Sequence, residues 1–366
     1  MNAAAPATLA SALHEHRWLS GIVLLYGAAA FLVHRQFPAS SAGNMLEGFA
    51  VSTLIGPLFT LCGYAIYVML LVRPANLTRF LFTSSRRYLR RERLLHALPV
   101  LLLFPLFASS FTVFKAAVPV LHPYAWDRHL ADWDLALHGG VAPWLWLQTV
   151  VGHPYVTAII NFAYHFWFFL VYAILYWLAL SMDKRQLRMQ FLLSFVLSWI
   201  LLGNVLATLL SSVGPCFYGY LYPGHDPYAP LMHYLQASNQ SVPVWALNVQ
   251  QMLWNGYQDH SSSLGISAMP SMHVATAVLL ALWGWRVNRR AGAALTLFAL
   301  LIMVGSVHLG WHYALDGYVG AAGAYAVWRG VGALLARAER RGAEARPAAL
   351  PPGVVYLRTR AMSRER

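Results

Sequence analysis

Charge is scarce along this chain and leans one way. Asp, Glu, Lys and Arg make up 11% of the 366 residues, with 26 basic side chains against 13 acidic ones. A soluble globular domain has about a quarter of its residues charged, so the composition excludes one. Cysteine is nearly absent. Cys62 falls inside an apolar segment and Cys216 in a loop, which excludes a disulfide framework and places the two at different depths. Positive charge is also sparse before Trp18 and no convincing cleavage site follows, so the first apolar run is expected to be a retained helix and not a signal peptide. The net charge of +13 does not imply a nucleic-acid partner, because the basic residues sit in short segments between apolar runs, a pattern of membrane orientation.

What is abundant is apolar sequence, 58% of the chain, in runs that reach the ~20 residues that span a bilayer. Eight spans are expected: Trp18 to His34, Leu46 to Val72, Leu94 to Lys115, Pro154 to Leu180, Phe191 to Val213, a short one at Met272 to Trp285, Ala291 to Val307, and His312 to Leu335. The fold class is therefore an all-α polytopic membrane protein. Three parts are expected: an N-terminal helix pair with a basic connector over 1–93, a membrane core over 94–335, and a basic tail over 336–366 whose Arg and Pro content reads as disordered. An even number of spans puts both termini on one side. That side then holds 23 of the 26 basic residues, leaving Arg35, Lys115 and Arg128 on the other. By the positive-inside rule the termini are cytoplasmic in the cell membrane. The connector from Arg73 to Arg93 reads as an orientation signal touching anionic headgroups.

The outer face collects the polar motifs. Met269-Pro270-Ser271-Met272-His273 opens the sixth span, with Pro270 and Ser271 as helix-start residues and His273 at the positive end of the helix dipole, where anions bind. Gly310-Trp311-His312-Tyr313-Ala314-Leu315-Asp316 puts His312 and Asp316 at i and i+4, neighbours on one helical face. An imidazole near neutral pKa serves as nucleophile or general acid, and a carboxylate partner fixes its tautomer. His308, His312 and Asp316 are spaced by fours and also allow a set of metal ligands on one helix. A helix break expected near Ser306 to Trp311 argues against that, and no metal or other cofactor is expected. Asn161, Tyr164 and His165 form a polar patch on the fourth span that either faces substrate or hydrogen-bonds within the core. The long outer segments His122 to His153 and Gly214 to Pro270 are rich in Trp and Tyr and read as interfacial helices and a lid. Lys115 and Arg128 either help hold a bound anion or are, respectively, a snorkelling lysine and the partner of Asp127 in a surface pair.

These motifs resemble the second and third signatures, P-S-x-H and S-R-x5-H-x3-D, of the type 2 phosphatidic acid phosphatase and vanadium haloperoxidase superfamily, over roughly Leu94 to Leu335. The resemblance implies a six-helix core in which His312 attacks phosphorus, Asp316 orients it, and His273 protonates the leaving oxygen. Ser271 and nearby N–H groups would bind phosphate oxygens. Two features depart from the pattern. Ser306, preceded by Gly305, stands where the third signature has Arg, and the first signature, K-x6-R-P, is missing, since no Lys or Arg occurs from Gly214 to Ser271. Gly214-Pro215-Cys216-Phe217-Tyr218 opens that loop instead, which is more similar to the branch of inositol phosphorylceramide and sphingomyelin synthases. Lys115 or Arg128, with Ser306, is left to compensate the phosphate. The implied activity is transfer of a phosphoryl or phosphoryl-alcohol group from a lipid phosphate to an alcohol or water. The rival readings are a lipid phosphate phosphatase only, a metal-dependent hydrolase using His308, and a non-catalytic transporter or scaffold.

Overall fold

The computed structural model describes residues 8–37, 45–259 and 265–344. All regular structure among the described residues is helical. A short α1 (Leu9–Glu15) leads into α2 (Arg17–Gln36), and α3 (Met45–Tyr67) ends in a π turn, Val68–Val72. The amphipathic α4 (Leu77–Tyr88) lies within the basic connector and precedes α5 (Arg91–Leu121). Two short helices, α6 (Asp127–Leu137) and α7 (Pro143–Val151), separate α5 from α8 (Pro154–Leu180). Then α9 (Arg185–Ile200) passes through a π turn, Leu201–Leu206, into α10 (Ala207–Leu209). The second long segment carries α11 (Tyr218–Leu221), α12 (Ala229–Ser241) and α13 (Trp245–Gln258), and the chain closes with α14 (Met272–Val287), α15 (Arg289–His308) and α16 (Ala314–Glu344).

Seven of these segments are long and apolar enough to cross a bilayer, and α14 is a shorter apolar helix. Each of the eight expected spans is thus a helix, and the protein is an all-α polytopic membrane protein. Their ends differ from expectation in two informative places. The third span does not stop at Lys115: α5 runs on to Leu121 through Pro99, Pro105 and Pro119, so Lys115 lies inside the helix. Proline is tolerated there because packed neighbours satisfy the backbone groups it frees. The last span begins at Ala314, not His312, and runs past Leu335 to Glu344. Residues 336–344 of the expected tail are therefore helical, and 345–366 lie outside the described residues, as does His260.

The hairpin of α14 and α15 is the tightest-packed pair, turned by Asn288, whose side chain accepts the N–H of Ala291 at 2.9 Å. It packs against α16, α9 and α8, while α2 and α3 lie against α5, with α3 also on α8. The N-terminal helices are tied in by buried charge. The Arg188 guanidinium, on α9, is 1% exposed and donates to Glu15 and to the rings of His16 and His96. A buried charge persists only when paired in this way. Burial would raise the Glu15 carboxyl, but hydrogen bonding from His96 and the charges of Arg188 and Arg185 outweigh it and hold its pKa at about 2. Tyr26 on α2 also donates to Asn204 of the second π turn. This cluster lies at the His96 end of α5; Lys115 and the histidine motifs lie toward the other.

Candidate active site

Two aspartates one heptad apart on α6 build the frame of the site. Asp127 is fully buried and accepts the N–H groups of Val213 at 3.0 Å and Gly214 at 2.9 Å, together with the hydroxyl of Tyr313 at 2.9 Å. Asp134 accepts the N–H groups of Ala314 at 3.1 Å and Leu315 at 3.0 Å, the otherwise orphaned first donors of α16. Burial pushes both carboxyls up from the ordinary range, and the backbone donors pull against it. One helix thereby fixes the loop after α10 and the start of α16. Of the two readings of Arg128, the surface pair with Asp127 does not form: Asp127 turns inward to these backbone donors, and the exposed Arg128 lays its guanidinium 4.4 Å over the ring of Tyr222.

Two glycines let the loops approach. Gly310, at φ 75°, is the left-handed residue that ends α15. Gly214, at φ 90°, lies so close to the Trp311 carbonyl that a Cβ would come within 2.5 Å of its oxygen. The Cys216 N–H then donates to the Gly310 carbonyl at 2.8 Å. Between these constraints the chain makes a turn in which the His312 N–H reaches the carbonyl of Ser306 at 3.0 Å.

His312 is therefore not on the helix of Asp316, as the i, i+4 spacing suggested, but in the turn that precedes it. The two still meet: Nδ1 of His312 is 3.4 Å from Oδ2 of Asp316. That separation is long and misaligned for a hydrogen bond, and Nδ1 of His312 and Oδ1 of Asp316 have no hydrogen-bond partner among the described residues. Asp316 is three residues into the capped end and its Oδ2 accepts the Tyr313 N–H at 3.0 Å, the reach-back half of a capping box. The helix start is thus held by two carboxylates, one local and one from α6, and His312 is left free in the turn. Catalytic hydrogen bonds are often long before substrate binds.

Ser271 caps α14 as expected, with its hydroxyl 3.5 Å from the Val274 N–H, and its own N–H donates to the Asp316 carbonyl at 3.0 Å. The two motifs are therefore joined backbone to backbone. His273 follows in the first turn of α14. Its ring stacks on Tyr164 with centroids 4.3 Å apart and planes 18° apart, and lies 4.2 Å from the Trp167 ring. Lys115 donates from Nζ to the Ser267 carbonyl at 3.2 Å, in the stretch that leads to the Ser271 cap. The Ser306 hydroxyl donates to the carbonyl of Met303, so its hydrogen is engaged behind the turn.

The remaining candidates separate. His308 is bonded through Nε2 to Thr157 at 2.8 Å, and Thr157 to Tyr234. Asn161 accepts the Ala246 N–H, and His165 bonds through Nδ1 to the Asn161 carbonyl; both take up the core role left open in sequence. Tyr164 instead belongs with His273. A small cavity beside His312 is bordered by Asp134, Trp144, Tyr228, Leu231 and Tyr313. Asp127 and Asp134, at i and i+7 on α6, were missed as framework residues, since the backbone groups they hold are distant in sequence.

A family model described as PAP2 superfamily matches residues 128–329, more than half of the chain. No curated protein and no solved structure matches it.

Proposed function

The chain belongs to the PAP2 superfamily, and on that premise we propose that it transfers a phosphoryl or phosphoryl-alcohol group from a membrane lipid, through His312, to an alcohol or water. The observation that carries this reading is the joining of two histidine motifs in one place: His312 stands 3.4 Å from Asp316, and the backbone of Asp316 is hydrogen-bonded to Ser271 at the mouth of the His273 helix. In the first step a lone pair on Nε2 of His312 forms a bond to phosphorus. The bond from phosphorus to the leaving oxygen breaks, and His273 gives that oxygen its proton. In the second, an alcohol or water attacks the phosphohistidine, returns its proton to His273 and frees His312. Asp316 holds the Nδ1 side of His312 and stabilises the imidazolium character it gains. The rings of Tyr164 and Trp167 pack against His273 and hold it in place.

The missing basic signatures support a donor bearing one negative charge, a phosphodiester, over a dianionic monoester. That favours head-group transfer, the branch of inositol phosphorylceramide and sphingomyelin synthases, over simple phosphatase action. Lys115 is the cation we assign to the phosphate, because it contacts the segment leading to Ser271. A charge-assisted contact is worth about 1.5–3 kcal/mol. Lys115→Met is accordingly expected to lower kcat/KM at least about tenfold, while Arg35→Met, whose side chain is exposed beside Phe31, leaves it unchanged. We place the site on the outer face and both termini in the cytoplasm, since that orientation puts 23 of 26 basic residues inside.

The test is a panel of labelled lipid phosphates with the purified protein in detergent, with and without EDTA, scoring released phosphate and new lipid products. Turnover that persists in EDTA is expected. Loss in EDTA would point to a metal hydrolase, and silence under both conditions to a transporter or scaffold.

A further inference from the structure

Resting on that reading, we infer that the hydroxyl of Tyr164 is a phosphate-contacting donor, which with Lys115 replaces the guanidinium the site lacks and fits it to a singly charged phosphodiester. The first observation is an orphan. Tyr164 is 4% exposed, and its hydroxyl is fully buried with no hydrogen-bond partner among the described residues. Buried polar groups are nearly always paired, so an orphan needs an explanation. A bound anion supplies one.

The second observation is position. The Tyr164 ring lies against His273 on one side and runs parallel to the Trp311 ring, 6.5 Å away and within 5°. Tyr164 thus sits between the ring of His273 and that of Trp311, the residue before His312. A phosphoryl group held between the two histidine motifs would lie beside this ring. Gly305 makes room, since a Cβ there would come within 3.2 Å of the Tyr164 ring. The indole N–H groups of Trp167 and Trp311 are buried and unpaired in the same neighbourhood, so the surroundings are rich in neutral donors and poor in fixed charge.

The chemistry follows from that inventory. A phosphate dianion in a water-poor site needs more than one cation for compensation, whereas a phosphodiester monoanion is satisfied by one ammonium and neutral donors. A phenol hydroxyl is a strong donor with no desolvated charge of its own.

Tyr164→Phe is the deciding variant, because it keeps the ring that stacks on His273 and removes only the hydroxyl. Two readouts are needed: kcat/KM on a lipid phosphodiester, and the affinity for orthovanadate, a phosphate analogue, measured without turnover. Each is expected to fall about tenfold or more, with Tm unchanged or raised, since deleting an unpaired buried hydroxyl relieves a desolvation cost. Values within twofold of wild type in both assays would overturn the assignment. So would a fall in Tm that parallels the loss of activity, which would make the hydroxyl structural. Should the wild-type protein turn over no lipid phosphate, the proposed function fails, and orthovanadate affinity alone decides the role of Tyr164.

Discussion

Replacing His312 with alanine is expected to abolish turnover of every lipid phosphate the protein accepts, by roughly 10^6-fold, the scale seen when a nucleophile is removed. The turn that carries His312 is held by backbone contacts: its N–H on the Ser306 carbonyl, the Tyr313 N–H on Asp316, and the start of α16 on Asp134. None of these uses the imidazole. The variant should therefore fold and keep its Tm, which separates loss of chemistry from loss of structure. Residual activity within a hundredfold of wild type would remove His312 from the role of nucleophile.

The second large effect is expected at His273, and it depends on the substrate. General acid assistance is worth ~100- to 10,000-fold. His273→Ala should cost that much for a natural leaving group, an alkoxide that must be protonated as it departs. A nitrophenyl ester, whose leaving oxygen is already a weak base, should lose far less. The stack of Tyr164 and Trp167 around the ring holds it in place. Steady-state kinetics on the two ester classes measure the difference. Equal losses on both would mean that His273 positions the substrate and donates no proton.

Much of this was legible in the sequence, and the illegible part has a common cause. Apolar runs of spanning length gave the helices, because hydropathy reports burial in lipid directly. Ser271 and His273 were legible because a helix cap is local chemistry. The spacing of His312 and Asp316 led to a true contact through a false intermediate: the two meet across a capped turn, since Asp134 and Asp316 start the helix at Ala314. Asp134 lies 180 residues from the donor it caps, and Asp127 lies 86 residues from Val213. No local pattern reveals such a pair. Asp127 beside Arg128 looked like a surface ion pair because charges adjacent in sequence are the partners a sequence offers. Arg188 was counted among orientation charges for the same reason. The positive-inside rule counts charges and is blind to the buried Glu15, His16 and His96 that hold this one. The end of α5 was misjudged because an apolar count cannot see that Lys115 is satisfied by the Ser267 carbonyl.

The central claim, a covalent step through His312, is tested most directly by trapping it. The purified protein is mixed with a lipid phosphodiester labelled at phosphorus, quenched in base within a turnover, digested and read by mass spectrometry. An acid-labile, base-stable adduct on the peptide carrying His312, with phosphorus still esterified to the transferred alcohol and absent from His312→Ala, is the expected result. Turnover by the wild-type protein with no adduct at His312, or with the adduct on another residue, would contradict the account.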